Sequence, residues 1–211
     1  MVDTGNNRIL RFSKPFEQPE DAVAPDLVIG QTSLDTNAPN AGGRSNRSIA
    51  VNLGGDQLYR TSLAFDSQGN LYFTDTGNNR VVRYPSYNLA PGAPHGPTAD
   101  MVLGQVDFEN DIVPKTVDAQ ALLNKNYVPA PAGLAFSDKH LFVSDGWNRV
   151  LVFAWYPYPP FISQGALRIM GLKTVSPGQP TPPLVNDTQF NDPEGIVIIG
   201  GAPAVFDARD N

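Results

Sequence analysis

An aspartate followed by an arginine recurs along this chain and provides its most regular chemistry. The pair lies in Asp3-Thr-Gly-Asn-Asn-Arg8, in Asp75-Thr-Gly-Asn-Asn-Arg80 and in the shorter Asp145-Gly-Trp-Asn-Arg149. A carboxylate at this position accepts the backbone N–H groups of a tight turn and pairs with the guanidinium that follows. We therefore expect a structural repeat turn built on Asp3, Asn7, Arg8, Asp75, Gly77, Asp145 and Asp207.

The same carboxylates allow a second interpretation, in which a ring of them binds a hard cation such as calcium. Their spacing matches no EF-hand loop, and Asp3 and Asp75 are 72 residues apart. The sequence therefore favours the turn, predicts no metal ligands and keeps calcium as the alternative.

Catalytic chemistry has few residues to draw on. The chain has no cysteine and only two histidines, His95 and His140, which excludes a thiolate zinc site and a multi-histidine centre within one chain. Close carboxylate pairs, Asp107 with Glu109 and Asp187 with Asp192, fall in connecting segments. The sequence favours a protein that is not an enzyme, and no catalytic residue is predicted.

The overall charge narrows the classes of partner. A formal net charge of −6 disfavours nucleic acid, because neutralising phosphates supplies most of that affinity. No apolar run approaches the ~18 residues that a membrane-spanning helix needs. A protein or carbohydrate partner is the expectation.

Three motifs recur in the same order and divide the chain into repeats of about 68–72 residues. Besides the turn, Leu27-Val-Ile-Gly-Gln31 matches Met101-Val-Leu-Gly-Gln105, and Leu63-Ala-Phe65 matches Leu134-Ala-Phe136. The repeat phases are 3–74, 75–144 and 145–207. Such periodicity indicates a repeat architecture.

Each repeat is predicted to form four short antiparallel strands. In the second repeat these are Leu63–Phe65, Leu71–Thr74, Arg80–Tyr84 and Met101–Leu103. Only residues 117–124 have a helical pattern, of one or two turns. Four short strands at regular spacing are typical of a β-propeller blade, so the predicted fold is all-β.

The turn sequence resembles the NHL repeat, in the two Asp-Thr-Gly-Asn-Asn-Arg copies and in the opening Pro193-Glu-Gly-Ile-Val197. The likeness spans nearly the whole of residues 1–211 apart from the connecting inserts. It implies a single region of six-bladed propeller type and a non-enzymatic binding scaffold, with a propeller lyase or hydrolase around a central metal as the alternative. The Val-Leu-Gly-Gln element resembles extracytoplasmic bacterial members, which implies a secreted protein.

The chain begins and ends at the same point of the repeat, since Asp3 and Asp207 are equivalent. Three repeats make half of a six-bladed ring. The last blade is then shared between the two termini or between the subunits of a homodimer, or else the chain is part of a longer one.

The strand order places the turns after each second strand on one face, with the long inserts 32–61, 106–130 and 172–192. Long connections of this kind often carry function. A tryptophan in such a turn stacks on a sugar or a partner side chain, or instead packs on the adjacent insert. The predicted binding residues are Asn79, Arg80, Trp147, Asn148 and Arg149.

Overall fold

The structure is a computed structural model that describes residues 1–52, 60–155, 163–172 and 189–208. It consists of four sheets with almost no helix, which confirms the all-β class. Of the sequence predictions, Asp187 and most of the insert at 172–192 lie outside the described residues. Among the described helices, none has the length and apolarity to cross a membrane.

The first two sheets follow the repeat order. The first contains β1 (Val2–Asp3), β2 (Arg8–Arg11) and β3 (Leu27–Ile29). The second contains β4 (Leu63–Phe65), β5 (Leu71–Asp75), β6 (Arg80–Tyr84) and β7 (Met101–Leu103), which confirms the four predicted strands to within one residue. The one α-helix in the described residues, α1 (Ala119–Leu122), falls inside the predicted helical stretch.

The third sheet repeats the second. It contains β8 (Leu134–Phe136), β9 (His140–Asp145), β10 (Arg149–Ala154) and β12 (Arg168–Met170). The short strand β11 (Ser163–Gln164) pairs in parallel with β7. The fourth sheet is the antiparallel pair β13 (Pro193–Ile199) and β14 (Ala202–Asp207). In the described residues the first and fourth sheets are separate from each other.

The sheets stack face to face in chain order, with an apolar layer in each gap. Alternate residues of β6 point to opposite layers: Val82 and Tyr84 pack towards the first sheet, whereas Val81 packs towards the third. A third layer joins Phe142 and Val150 to the inner face of β13–β14. Because successive strand side chains alternate between faces, each inner strand serves two layers.

Candidate binding face

The repeated turn takes its shape from one asparagine. After a single 3-10 turn the chain enters the left-handed region at Asn7 (φ 49°) and Asn79 (φ 53°), and the shorter third turn enters it at Asn148 (φ 59°). Asparagine tolerates this region better than most residues. The turn brings the motif aspartate opposite the motif arginine in the hairpin register, as in Asp75 with Arg80.

The Asp75–Arg80 pair is fully buried and holds two inserts. The Arg80 Nε donates to Asp75 Oδ2 at 2.7 Å, and both side chains are 0% exposed. The other Asp75 oxygen accepts the Ala50 N–H at 2.7 Å. Arg80 also donates to the carbonyls of Ser48, at 2.8 Å, and Phe108. A buried charge is tolerated only when its donors are matched in this way.

The third repeat uses the same device. The Arg149 Nη2 donates to Asp145 Oδ2 at 2.6 Å with both side chains fully buried, and the guanidinium donates to the carbonyls of Leu122, Asn124 and Tyr127. In the first repeat, Arg8 pairs with Asp3 at 2.7 Å and donates to the Leu34 carbonyl, but these two side chains keep 17% and 24% exposure.

The turn asparagines also hold the inserts, by accepting hydrogen bonds from their backbone N–H groups. The Asn7 Oδ1 accepts the N–H groups of Val51 and Asn52, and the equivalent oxygen of Asn79 accepts that of Ala130. The Asn148 Oδ1 accepts the Asp192 N–H at 3.0 Å. Each bond joins a turn to the insert that leads into the next sheet. The turns and inserts therefore share one face, as the strand order predicts.

Close approach explains the glycine of the turn. The Gly77 N–H donates to the Ala50 carbonyl at 2.8 Å, and a Cβ at Gly77 would lie 2.5 Å from that oxygen. The last motif aspartate also has a backbone partner. Both carboxylate oxygens of Asp207 accept the Asn191 N–H, at 2.8 and 2.9 Å.

Each described member of the predicted structural turn thus has a defined contact.

Two glutamines complete the turns and were not predicted as site residues. The Gln31 Nε2 donates to the Asn7 carbonyl, and the Gln105 Nε2 donates to the Asn79 carbonyl, both at 3.0 Å. The Gln105 Oε1 also accepts the Ile112 N–H at 2.7 Å. The repeated Gly-Gln ending of the fourth strand is the sequence signal that marks them.

The five predicted binding residues divide by accessibility. Asn148 is exposed, Asn79 and Trp147 are half-buried, and Arg80 and Arg149 lie wholly beneath the inserts. The Trp147 ring lies over the Arg149 guanidinium, with the Cζ atom 4.8 Å from the ring centroid, a cation–π contact. Trp147, Asn148 and Asn79 reach the surface, and the two arginines support it from behind.

The two histidines and Asp107 lie outside the turn, and each contacts other side chains or backbone groups of the chain. The His95 Nδ1 accepts the Val28 N–H, and Asp107 accepts the N–H groups of Glu109 and Asn110 in a local turn. The His140 ring lies edge-on to Phe142. Within the described ranges, no three His, Asp or Glu side chains are grouped to hold a metal ion.

The extent of burial decides whether the pKa of the motif aspartate rises or falls in each repeat. Burial raises the pKa of Asp145 to about 6, although the Arg149 charge and its hydrogen bonds oppose this, and burial also raises the pKa of Asp75. At the more exposed Asp3, burial also acts upward, but hydrogen bonds from Asn6 and Arg8 and the Arg8 charge outweigh it and lower the pKa.

No protein-family model matches the chain, and no curated protein matches it. The likeness to NHL repeats therefore remains a prediction from the sequence.

Replacing Asp75 by alanine is expected to lower the free energy of unfolding by about 3–5 kcal/mol, because Arg80 would stay buried without its counter-charge. Asp75→Asn keeps one acceptor oxygen and should cost less. The control is Asp3→Ala, where water reaches the pair and the loss should be smaller. Chemical denaturation measures all three, and equal losses for Asp75→Ala and Asp3→Ala would contradict the account.

The Asp145 carboxyl is expected to titrate near pH 6, and that of Asp3 below 3.8. Because folded Asp145 holds its proton more tightly than the unfolded chain does, its contribution to stability is complete below about pH 3.8. That contribution is lost as the pH rises through about 6. Carboxyl NMR shifts measure both groups, and an Asp145 midpoint below 3.8 would refute this assignment.

Proposed function

We propose that the chain is a segment of an NHL-type β-propeller whose insert-bearing face binds a protein partner. The stack of similar antiparallel sheets supports the blade interpretation, and three repeats supply half of a six-bladed ring. The single observation that carries the function is that buried arginines donate to backbone carbonyls of the long inserts and so fix these inserts onto the repeated turns. A connection held in this way presents a preorganised surface, which reduces the entropic cost of binding.

The composition of this surface favours a protein over a glycan. The insert between β7 and β8 exposes four aliphatic side chains, all at least 45% accessible: Val106, Ile112, Val117 and Leu123. Leu123 lies between two residues whose carbonyls accept from Arg149, so it is close to the turn that carries Trp147. Exposed aliphatic groups beside an aromatic residue are typical of protein interfaces.

Polar side chains beside these aliphatic residues would orient a bound partner. The Asn79 Nδ2 donates to Asp111 Oδ1 at 3.0 Å, and Arg44 pairs with the same carboxylate at 2.9 Å. This exposed network forms a polar border beside the aliphatic residues, the arrangement of an interface core and its rim. A secreted bacterial scaffold is the setting that the sequence resemblance suggests.

The test is selection of peptides from a random display library on the immobilised chain, with a glycan array in parallel. We expect selected peptides to lose about tenfold or more in affinity with Leu123→Asp and with Trp147→Ala, the cost of losing one anchor in an interface. The matched control is Phe16→Asp, since Phe16 is fully exposed in the β2–β3 connection, on the other face.

Equal binding of the selected peptides by the variants and the control would overturn the assignment of the face. Binding on the glycan array alone would overturn the choice of a protein partner.

A further inference from the structure

We propose that two copies of this chain close head to tail, each placing its fourth sheet against the first and second sheets of the other. The outer face of β13–β14 then fills an apolar groove of the second copy, and β14 lies beside β2 in place of residues 1–3. This inference rests on the proposed blade arrangement and names a partner, a second copy, for surfaces apart from the insert-bearing face.

Two strands of identical sequence, β4 and β8, differ in how well they are covered. The same three residues, Leu-Ala-Phe, form β4 and β8. In β8, Leu134 and Ala135 are buried, and the Phe136 ring contacts Tyr72 of the preceding sheet with centroids 4.8 Å apart. In β4, Leu63 is only half-buried and Phe65 is 58% exposed. Identical side chains thus differ in burial because β4 lacks a covering strand pair on that side.

The uncovered side chains of β4 line a groove. It has a volume of about 450 Å³ and lies between the first two sheets, with Ile9 and Leu27 on one wall and Leu63, Phe65 and Leu71 on the other. The corresponding space between the second and third sheets is filled by Tyr72, which lies opposite Ala64 in the β4–β5 register. The groove therefore marks where a first and second strand would pack.

The fourth sheet carries a matching surface. Its inner face packs on the third sheet through Ile196, Ile198 and Val205. Its outer face exposes Val197 (57%), Ile199 (65%) and Phe206 (64%). Val197 lies opposite Ala204 in the register, as Ala64 lies opposite Tyr72. The repeat alignment therefore places this face where the groove needs a strand pair.

The backbone edges also correspond. In the described residues β14 pairs with β13 alone, whereas its counterparts β5 and β9 each pair on both edges. Among the residues that the structure describes, the edge of β2 is covered only by the two-residue strand β1 and the Met1 backbone, which exchanges bonds with Leu10. β14 is six residues long and ends on the motif aspartate Asp207, so it provides a longer ladder in the register that β1 now holds.

Two such contacts close a ring. From the first sheet to the fourth there are three sheet-to-sheet steps, which is half of the six-bladed ring that the sequence resemblance implies. A two-fold axis then gives two identical contacts and leaves no free sheet edge at either junction.

Light scattering of the 211-residue chain is expected to give about twice the 22.8 kDa chain mass. Phe206→Asp and Phe65→Asp each damage both junctions and should each reduce the mass to that of one chain. Both side chains are exposed in the single chain, so circular dichroism should show unchanged sheet content. The matched control, Phe16→Asp, should keep the double mass.

Mixing the two variants tests the head-to-tail geometry. In a mixed pair, one junction carries both substitutions and the other carries neither, so the mixture should recover pairs of chains that neither variant forms alone. A wild-type mass of one chain, larger open assemblies, no effect of either substitution or no recovery on mixing would each overturn the inference. Peptide binding that survives such an outcome would leave the proposed function standing.

Discussion

The buried carboxylate–guanidinium pair is the interaction on which the rest of the structure depends. Asp75 with Arg80 and Asp145 with Arg149 lie at the end of a hairpin, without contact with water. Desolvating these groups opposes folding, so each pair is stable only because backbone carbonyls and N–H groups satisfy the remaining donors and acceptors. Those backbone groups belong to the inserts. The requirement to satisfy one ion pair thereby fixes the path of segments that have little secondary structure.

This arrangement links the stability of the sheets to the shape of the surface. Arg149 donates to the carbonyls of Leu122, Asn124 and Tyr127, and moving any of them away would leave a buried donor without an acceptor. The insert that carries Leu123 is therefore held in one place. The turn asparagines add a second set of ties between each turn and the insert before the next sheet. A rigid face follows from the same contacts that stabilise the hairpins.

Much of the fold was predictable because the residues that form its strands and turns recur in each repeat. The strands of the second repeat follow from alternation, and the turn follows from an aspartate, an asparagine and an arginine at fixed spacing. The complete burial of Arg80 and Arg149 was not predictable, since the inserts that cover them have no repeated sequence. The roles of Gln31 and Gln105 were missed for a similar reason: each forms contacts within an insert whose path the strand pattern does not specify.

Hydrogen exchange at the Ala50 amide tests the central claim most directly. Ala50 lies in an insert outside any strand, and its N–H donates to the buried Asp75 carboxylate. If the ion pair holds the insert, this amide should exchange as slowly as strand amides such as that of Val82, because both open only when the sheet does. Exchange at the rate of an exposed loop amide such as that of Lys115 would contradict the account.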